Sequence, residues 1–337
     1  MTLKFAFVGL RHGHIYSLLS RVKETAGCEI VAICEEDAAT RQTLESTRPE
    51  VKVTHDNIDK MLAEVDCDVV ATGDYYGKRG SILIRALKAG KHVIADKPVC
   101  TSLAELDQIE QLAKSNGLKV GCQLDLRQSP NIVTARNFIQ HNCLGEIHAV
   151  NFGGQHPLLW GTRPGWYFEE GKHGGTINDI AIHGIDAIEW ITGLKFTGVN
   201  SARTWNAFAK ECPTFEDAGQ FMLTMDNGCG ALGDVSYFAP DSCGFTLPYY
   251  WEFTFWGTKG VLRTNLKDDS VAVTFNGDKG ISRIAPTVKI QPDYFAQFID
   301  DLNGKETEMN TDSVLGIARK TLQIQAVANQ KLCAVKL

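Results

Sequence analysis

A chain of 337 residues is long enough for two domains with separate cores, and its 44% hydrophobic and 22% charged content is that of a globular protein. A net charge of -6 with no basic run excludes a phosphate-contacting nucleic-acid surface and an anionic membrane face. No apolar run reaches the roughly 20 residues that span a bilayer, and residue 3 enters a strand pattern at once, so no secretory leader is expected. The ten cysteines are scattered without a C-x-x-C pair, which points to reduced thiols in a cytoplasmic protein and to no metal.

Residues 3–8 are an apolar run ending at Gly9, followed by Leu10-Arg11-His12-Gly13-His14 and a helical pattern over 15–22. A second apolar run, 29–34, ends in Glu35-Glu36-Asp37. Strand, glycine turn, helix, strand and acid in this order suit a dinucleotide, with backbone amides at the helix N-terminus meeting the pyrophosphate. Glu35, first past the strand, can accept from both ribose hydroxyls and repel a 2′-phosphate, which favours NAD, with NADP as the alternative. The G-x-G-x-x-G pattern is broken, because Arg11 and His14 stand where its last two glycines belong. Arg11 can instead reach a phosphate oxygen and Gly13 can supply the close approach; the plain alternative is a βα turn that binds no cofactor.

Residues 68–72 read as a strand ending at Thr72, 73–80 as a loop carrying Asp74, Tyr75, Tyr76 and Arg79, and 81–88 as a helix closed by Gly90. Residues 91–95 give another strand, ending in Asp96-Lys97-Pro98. Ser102-x-x-Glu105 caps a helix over 103–116 stopped by Gly117, and 118–122 form one more strand. Strands alternating with helices imply a doubly wound parallel sheet whose ligand crevice lies at the strands' C-terminal ends.

Beyond residue 122 the texture changes. A helix over 130–140 precedes longer β-type runs at 146–152, 198–206, 220–225, 251–256 and 271–275, with Asn227-Gly228 and Asn276-Gly277 as hairpin turns. Helices over 292–303 and 313–330 follow. The fold class is therefore α/β: a Rossmann-type doubly wound parallel sheet over 1–121, then an α+β domain over 122–337 with a large, mostly antiparallel open sheet.

Within that second domain, residues 174–191 read as a helix with isoleucines on one stripe. Asp179, His183 and Asp186 fall at i, i+4 and i+7 on one face, a general-base arrangement in which a carboxylate orients an imidazole or a substrate hydroxyl. The bland alternative makes Thr176-x-x-Asp179 a capping box and leaves Asp186 solvated. The preceding segment, 155–167, carries Trp160, Arg163, Trp166 and Tyr167, which suit a lid over a polyol ring or simply pack beneath their own loop. Tyr249, Tyr250 and Trp251 read first as core or interface packing.

The chain resembles the Gfo/Idh/MocA oxidoreductases, a family of sugar and polyol dehydrogenases. Residues 89–98, A-G-K-H-V-I-A-D-K-P, are similar to the family's A-G-K-H-V-x-x-E-K-P, and 174–186 to its G-G-G-x-x-x-D-x-x-x-H-x-x-D. Arg127 with Pro130, and W-G-T-K-G at 256–260, add to the match. The resemblance implies a nicotinamide-binding first domain, Lys97 followed by a cis Pro98, and an acid and histidine at Asp179 and His183. It also implies a homodimer or homotetramer formed through the second domain's sheet. Three departures mark a divergent branch: the altered glycine turn, a longer segment after Thr72 lacking the family histidine, and D-K-P in place of E-K-P.

The reaction implied is reversible oxidation of a secondary hydroxyl on a sugar, polyol or related small molecule, with Lys97, Asp179 and His183 catalytic. Gly9, Arg11, His12, Gly13, His14, Glu35, Thr72, Asp74, Asp96, Lys97 and Pro98 would line the NAD site, and Arg127, Trp160, Arg163, Trp166 and Tyr167 the substrate. The alternatives on this fold are an NAD-dependent redox-neutral glycosidase and a non-catalytic dinucleotide-binding regulator. For Lys97 alone, the alternative is a surface lysine paired with Asp96.

Overall fold

The computed structural model describes residues 2–247, 249–287 and 291–331; Cys333 lies outside them. Two compact units are present. The first comprises residues up to Gln123 with Pro164–Gly174 and Tyr294–Arg319; the second comprises Leu124–Arg163, Gly175–Asp293 and the residues from Lys320 on. The sequence reading divides the chain once, at 121/122, whereas here two later segments join the first unit.

In the first unit β1 (Leu3–Val8), β2 (Cys28–Cys34), β3 (Val69–Thr72), β4 (His92–Ala95) and β5 (Val120–Cys122) form a parallel sheet in the order β2-β1-β3-β4-β5. β3 is buried along its whole length, as expected of parallel strands covered on both faces. Strand order reverses between β1 and β3, so Gly9, Thr72 and Asp96 sit together at the edge where such sheets bind ligands. The helix α1 (Ile15–Glu24) buries Ile15, Leu18, Leu19 and Val22 on one stripe. Two helices, α2 (Ala38–Thr47) and α3 (Ile58–Glu64), escaped the sequence reading, and α2 buries Leu44 alone, too little to create a period.

The helix expected from residue 81 begins five residues earlier, as α4 (Tyr76–Lys88). The glycines that suggested a loop are packing positions: a Cβ on Gly77 would lie 2.3 Å from the Gly171 carbonyl oxygen, and one on Gly80 2.3 Å from the Glu105 carboxyl carbon. The next helix, α5 (Leu103–Asn116), has Ser102 as its N-cap and left-handed Gly117 after its last turn, as the sequence indicated. The late helix α8 (Tyr294–Leu302) covers the sheet, with the Phe298 ring where a Cβ on Gly121 would stand and Phe295 5.7 Å from Phe5.

The second unit is built on a sheet in the order β13-β12-β11-β10-β6-β9-β8-β7. Its strands are β6 (Ile147–Pro157), β7 (Phe196–Trp205), β8 (Ala218–Met225), β9 (Gly230–Ala239), β10 (Glu252–Gly257), β11 (Gly260–Thr264), β12 (Val271–Phe275) and β13 (Ser282–Ile284). Every neighbour pair is antiparallel except β6 with β9. Burial alternates along β8 and β9, leaving Met222 and Leu232 exposed on the open face, with Trp256 exposed on β10. On the covered face lie α6 (Pro130–Gln140) and α7 (Ile182–Thr192). Gly184 lets α7 approach the sheet, because a Cβ there would stand 2.3 Å from the Phe152 ring. The expected α-helix from residue 174 is instead a π-helical turn, Ile177–Ala181, that runs into α7. The widened turn moves Asp179 off the regular i, i+4 spacing to His183.

Candidate active site

At the ligand edge of the first unit, Gly9 has φ +72°, and a Cβ there would lie 2.5 Å from Asp74 Cβ, so only glycine lets the turn close. A Cβ on Gly13 would meet nothing within 4 Å, and no side chain caps the N-terminus of α1. The amides of Ile15, Tyr16 and Ser17 donate instead to the carbonyls of His12 (3.3 Å), Gly13 (3.4 Å) and His14 (3.0 Å). Thr72 Oγ1 is buried without a hydrogen-bond partner among the described residues, a polar group left for a ligand. The Gly9 turn, the open space at Gly13 and the Thr72 hydroxyl fit a dinucleotide.

Glu35 is fully buried, its two oxygens accepting from the amides of Leu10 (2.7 Å) and Asp37 (3.0 Å). Burial pushes its pKa up in spite of those hydrogen bonds. Arg11, in the place of the second loop glycine, sets its guanidinium 3.2 Å from Asp74 and 3.7 Å from both Glu35 and Asp37, over the Tyr75 ring. The turn is thus held by charge where the family uses absent side chains.

Arg79, fully buried on α4, brackets the D-K-P segment. It donates to the carbonyls of Asp74 (2.8 Å), Asp96 (2.7 Å) and Pro98 (3.1 Å), and to Asp96 Oδ2 (3.3 Å). Asp96 also contacts His12 Nδ1, and its second oxygen lies 3.5 Å from His14 Nδ1. Burial opposes ionisation of Asp96, but the imidazole of His12, the Arg79 guanidinium and His14 outweigh it and hold its pKa well below the usual range. Burial holds His12 down to about 4, so near neutral pH a neutral ring donates from Nδ1 to the carboxylate. Its Nε2 then accepts from the Tyr76 hydroxyl (3.2 Å), which lies 2.8 Å from the Tyr167 hydroxyl. Lys97 is 3% exposed with its ammonium 5.9 Å from the Tyr76 ring centre, which removes the surface-lysine alternative. The Lys97–Pro98 peptide is cis.

Of the four residues expected on the substrate lid, two belong to the first unit. Trp166 and Tyr167 are buried and stacked at 4.1 Å, edge-on to Tyr76, and Trp166 Nε1 donates to the Arg11 carbonyl (3.4 Å). They brace the cofactor turn. Trp160 and Arg163 lie in the second unit, where Trp160 is 43% exposed. Arg163 donates to the carbonyls of Pro157 (2.6 Å) and Leu158 (2.9 Å) and lies over the Tyr237 ring.

The second unit holds Asp179 and His183, both buried. The hydroxyl of Tyr237, on β9, donates to Asp179 Oδ2. His183 Nδ1 lies 3.7 Å from an Asp125 oxygen, and the Trp251 ring meets its imidazole edge-on at 5.3 Å. Trp251 has φ +54°, a conformation that costs a non-glycine residue ~1–3 kcal/mol and is kept where the surroundings demand it. His156, Tyr250 and Tyr237 continue the aromatic wall from Trp251, so Tyr250 and Trp251 line the site rather than only filling the core. Two bland alternatives fail. Asp186 is not solvated, since Arg127 grips it with Nε (2.9 Å) and Nη2; and Thr176 makes no cap but donates to the Glu216 carbonyl.

Sequence reasoning named Arg79 and Tyr76 without a role and missed Tyr237. The first two lay in a stretch read as loop, and Tyr237 is 58 positions from its partner Asp179.

Residues 3–124 match the family model for the NAD-binding Rossmann fold of this oxidoreductase family, and residues 132–263 match the GFO/IDH/MocA C-terminal domain. The chain belongs to the GFO/IDH/MocA family. Its first unit is accordingly an NAD-binding Rossmann domain. Among curated relatives of this GFO/IDH/MocA protein, the D-xylose dehydrogenase of Paenarthrobacter nicotinovorans is 25% identical, with 53% of this chain and 50% of the relative aligned. The D-glucoside 3-dehydrogenase of Escherichia coli is 26% identical over 77% of this chain and 70% of its own. The chain spans about half the length of several curated relatives it matches. A solved structure described as an oxidoreductase, from Erwinia carotovora atroseptica SCRI1043, superposes with a TM-score of 0.83 at 26% identity, covering 97% of this chain and 99% of that one. Among the described residues no helix is long and apolar enough to cross a membrane.

Proposed function

We propose that this protein is a dehydrogenase that oxidises a secondary hydroxyl of a sugar, polyol or related small molecule, reversibly and with NAD. The observation that carries the reading is the buried ammonium of Lys97 at the ligand edge of a NAD-binding sheet. Lysine is rarely buried this far. There it lowers the pKa of a substrate hydroxyl and stabilises the developing alkoxide. His183 takes the hydroxyl proton, and Asp179, fixed by Tyr237, orients that hydroxyl or the imidazole. The bound nicotinamide supplies a hydride acceptor. Thr72 Oγ1 and the backbone of the Gly9–Gly13 turn would hold the dinucleotide, whereas Glu35, fully buried on the amides of Leu10 and Asp37, presents no exposed oxygen to the ribose. The aromatic wall from His156 to Trp251, with Trp160 and Arg163, would receive the C–H faces and polar edges of the substrate.

The sugar class is supported by relatives named for oxidising D-xylose and D-glucosides. The open sheet face carrying Met222, Leu232 and Trp256 supports a homodimer or homotetramer formed there, and the free cysteines fit a cytoplasmic protein.

The test is a panel of sugars, inositols, polyols and glycosides with NAD and with NADP, read at the absorbance of the reduced nicotinamide. Reduced NAD should accumulate with at least one substrate, and His183→Ala should lose turnover while NAD still quenches tryptophan fluorescence. No turnover across the panel, or full turnover by His183→Ala, would remove the assignment.

A further inference from the structure

We infer that His12, His14 and Asp96 form a site for one divalent transition-metal ion of the zinc type at the mouth of the altered glycine turn. His14, in the place of the last loop glycine, puts a second imidazole two positions from His12, and the fold brings to them a carboxylate from the end of β4. Each residue offers one ligand atom, and the three atoms lie within 4.8 Å of one another.

The His14–Asp96 spacing suits a small borderline cation. Donors about 2.1 Å from a tetrahedral zinc stand roughly 3.4 Å apart, and His14 Nδ1 lies 3.5 Å from Asp96 Oδ1. That oxygen is buried, belongs to a residue with no solvent exposure, and has no hydrogen-bond partner among the described residues. It faces the side chain of His14, which is 49% exposed and so has room to turn its ring onto an ion. Two nitrogens and one oxygen match zinc, cobalt or nickel better than magnesium or calcium, which prefer all-oxygen shells.

The outer shell is already in place. A ligating histidine normally donates its second ring N–H to a polar neighbour, and a ligating carboxylate is itself hydrogen-bonded. If His12 binds the ion through Nδ1, its proton moves to Nε2, which lies 3.2 Å from the Tyr76 hydroxyl. The Tyr76 and Tyr167 hydroxyls form a pair in which either can donate, so the chain of bonds reverses direction without losing a partner. Asp96 Oδ2 stays on Arg79. The half-exposed side of His14 leaves further coordination positions to water. The inference concerns the ion alone and does not depend on which substrate the enzyme oxidises.

The full-length protein, stripped with chelator and dialysed against zinc, should retain one ion per chain more than the His14→Ala variant. Cobalt should give a visible d–d band that His14→Ala lacks. His14 is half exposed, so the variant should keep the wild-type melting temperature, which separates lost ligation from lost folding. Tyr76→Phe should bind ~10–100-fold more weakly through loss of the outer-shell partner, and His148→Ala, at a histidine far along the chain, should bind as wild type does. Equal metal content in wild type and His14→Ala, or no ion retained by the wild type, would overturn the site and leave only adventitious binding.

Discussion

Arg127 and Asp186 offer the sharpest energetic test, because both are almost fully buried, at 4% and 1% exposure, and they meet in a two-pronged ion pair inside one unit. Truncation in Arg127→Ala leaves the Asp186 carboxylate buried with its counter-charge gone. Breaking a buried pair from one side costs ~3–5 kcal/mol. In a domain of about this size each kcal/mol moves the melting temperature by ~2–4 °C, so a fall of ~6–20 °C is expected in the transition of the second unit. Asp186→Asn should cost nearly as much from the other side. The paired substitution Arg127→Met with Asp186→Leu should recover most of the loss, since two apolar groups of similar volume leave no charge stranded. Calorimetry and urea denaturation of wild type, Arg127→Met, Asp186→Leu and the double variant give the coupling energy. Single variants within ~1 kcal/mol of wild type, or a double variant as unstable as the two singles summed, would refute the claim that this pair stands desolvated and interdependent.

Further outcomes follow from other contacts. Tyr237→Phe removes the hydroxyl that donates to Asp179; a hydrogen bond to a charged group is worth ~1.5–3 kcal/mol, so kcat should fall roughly 10–100-fold with a smaller change in KM, and an unchanged kcat would mean that Asp179 is positioned by something else. Arg79→Met strands Asp96 and three carbonyls at the cofactor edge, and should abolish NAD quenching of tryptophan fluorescence; persistence of that quenching would count against the bracket role. Burial alone would raise the pKa of Asp301, but the Lys119 ammonium and the hydroxyl and amide of Thr311 prevail and hold it below its ordinary 3.8. A depressed carboxylate stabilises the fold above its unfolded pKa and loses that contribution as pH falls through the folded value. Wild type should therefore lose its advantage over Asp301→Asn only below about pH 3.8, and a constant gap in melting temperature across that acid range would contradict the sign.

Much of this was legible in the residues where local rules decide structure. The helices Leu103–Asn116 and Pro130–Gln140 begin and end where Ser102, Gly117 and Pro130 place them, and Asn227-Gly228 joins β8 to β9 as a tight turn. Local rules failed where a residue answers to a distant neighbour. Gly77 and Gly80 look like loop glycines, yet they sit in α4 because the Gly171 backbone and Glu105 occupy the space a Cβ would need. Likewise Gly233 broke up the apolar pattern of β9, where it makes room for the Phe221 ring. The candidate residues were proposed from type and spacing, but the groups that contact them were not. Tyr237 reaches Asp179, and Arg127 reaches Asp186, across 58 and 59 positions of sequence, with no periodic signal linking them. The π-turn at Ile177–Ala181 is invisible in a run of isoleucines at helical spacing.

We propose that Lys97 and His183 both act in the oxidation of the substrate hydroxyl. This joint role is tested most directly by a kinetic double-variant cycle, with Lys97→Met, His183→Ala and both together, measured as kcat/KM on the best substrate of the panel while NAD binding is followed by fluorescence. Each single change should cost ~10²–10⁴-fold, and the double variant should be little worse than the poorer single, as for groups that work as a unit. Losses that simply multiply, or a full rate in either single variant, would contradict that joint role.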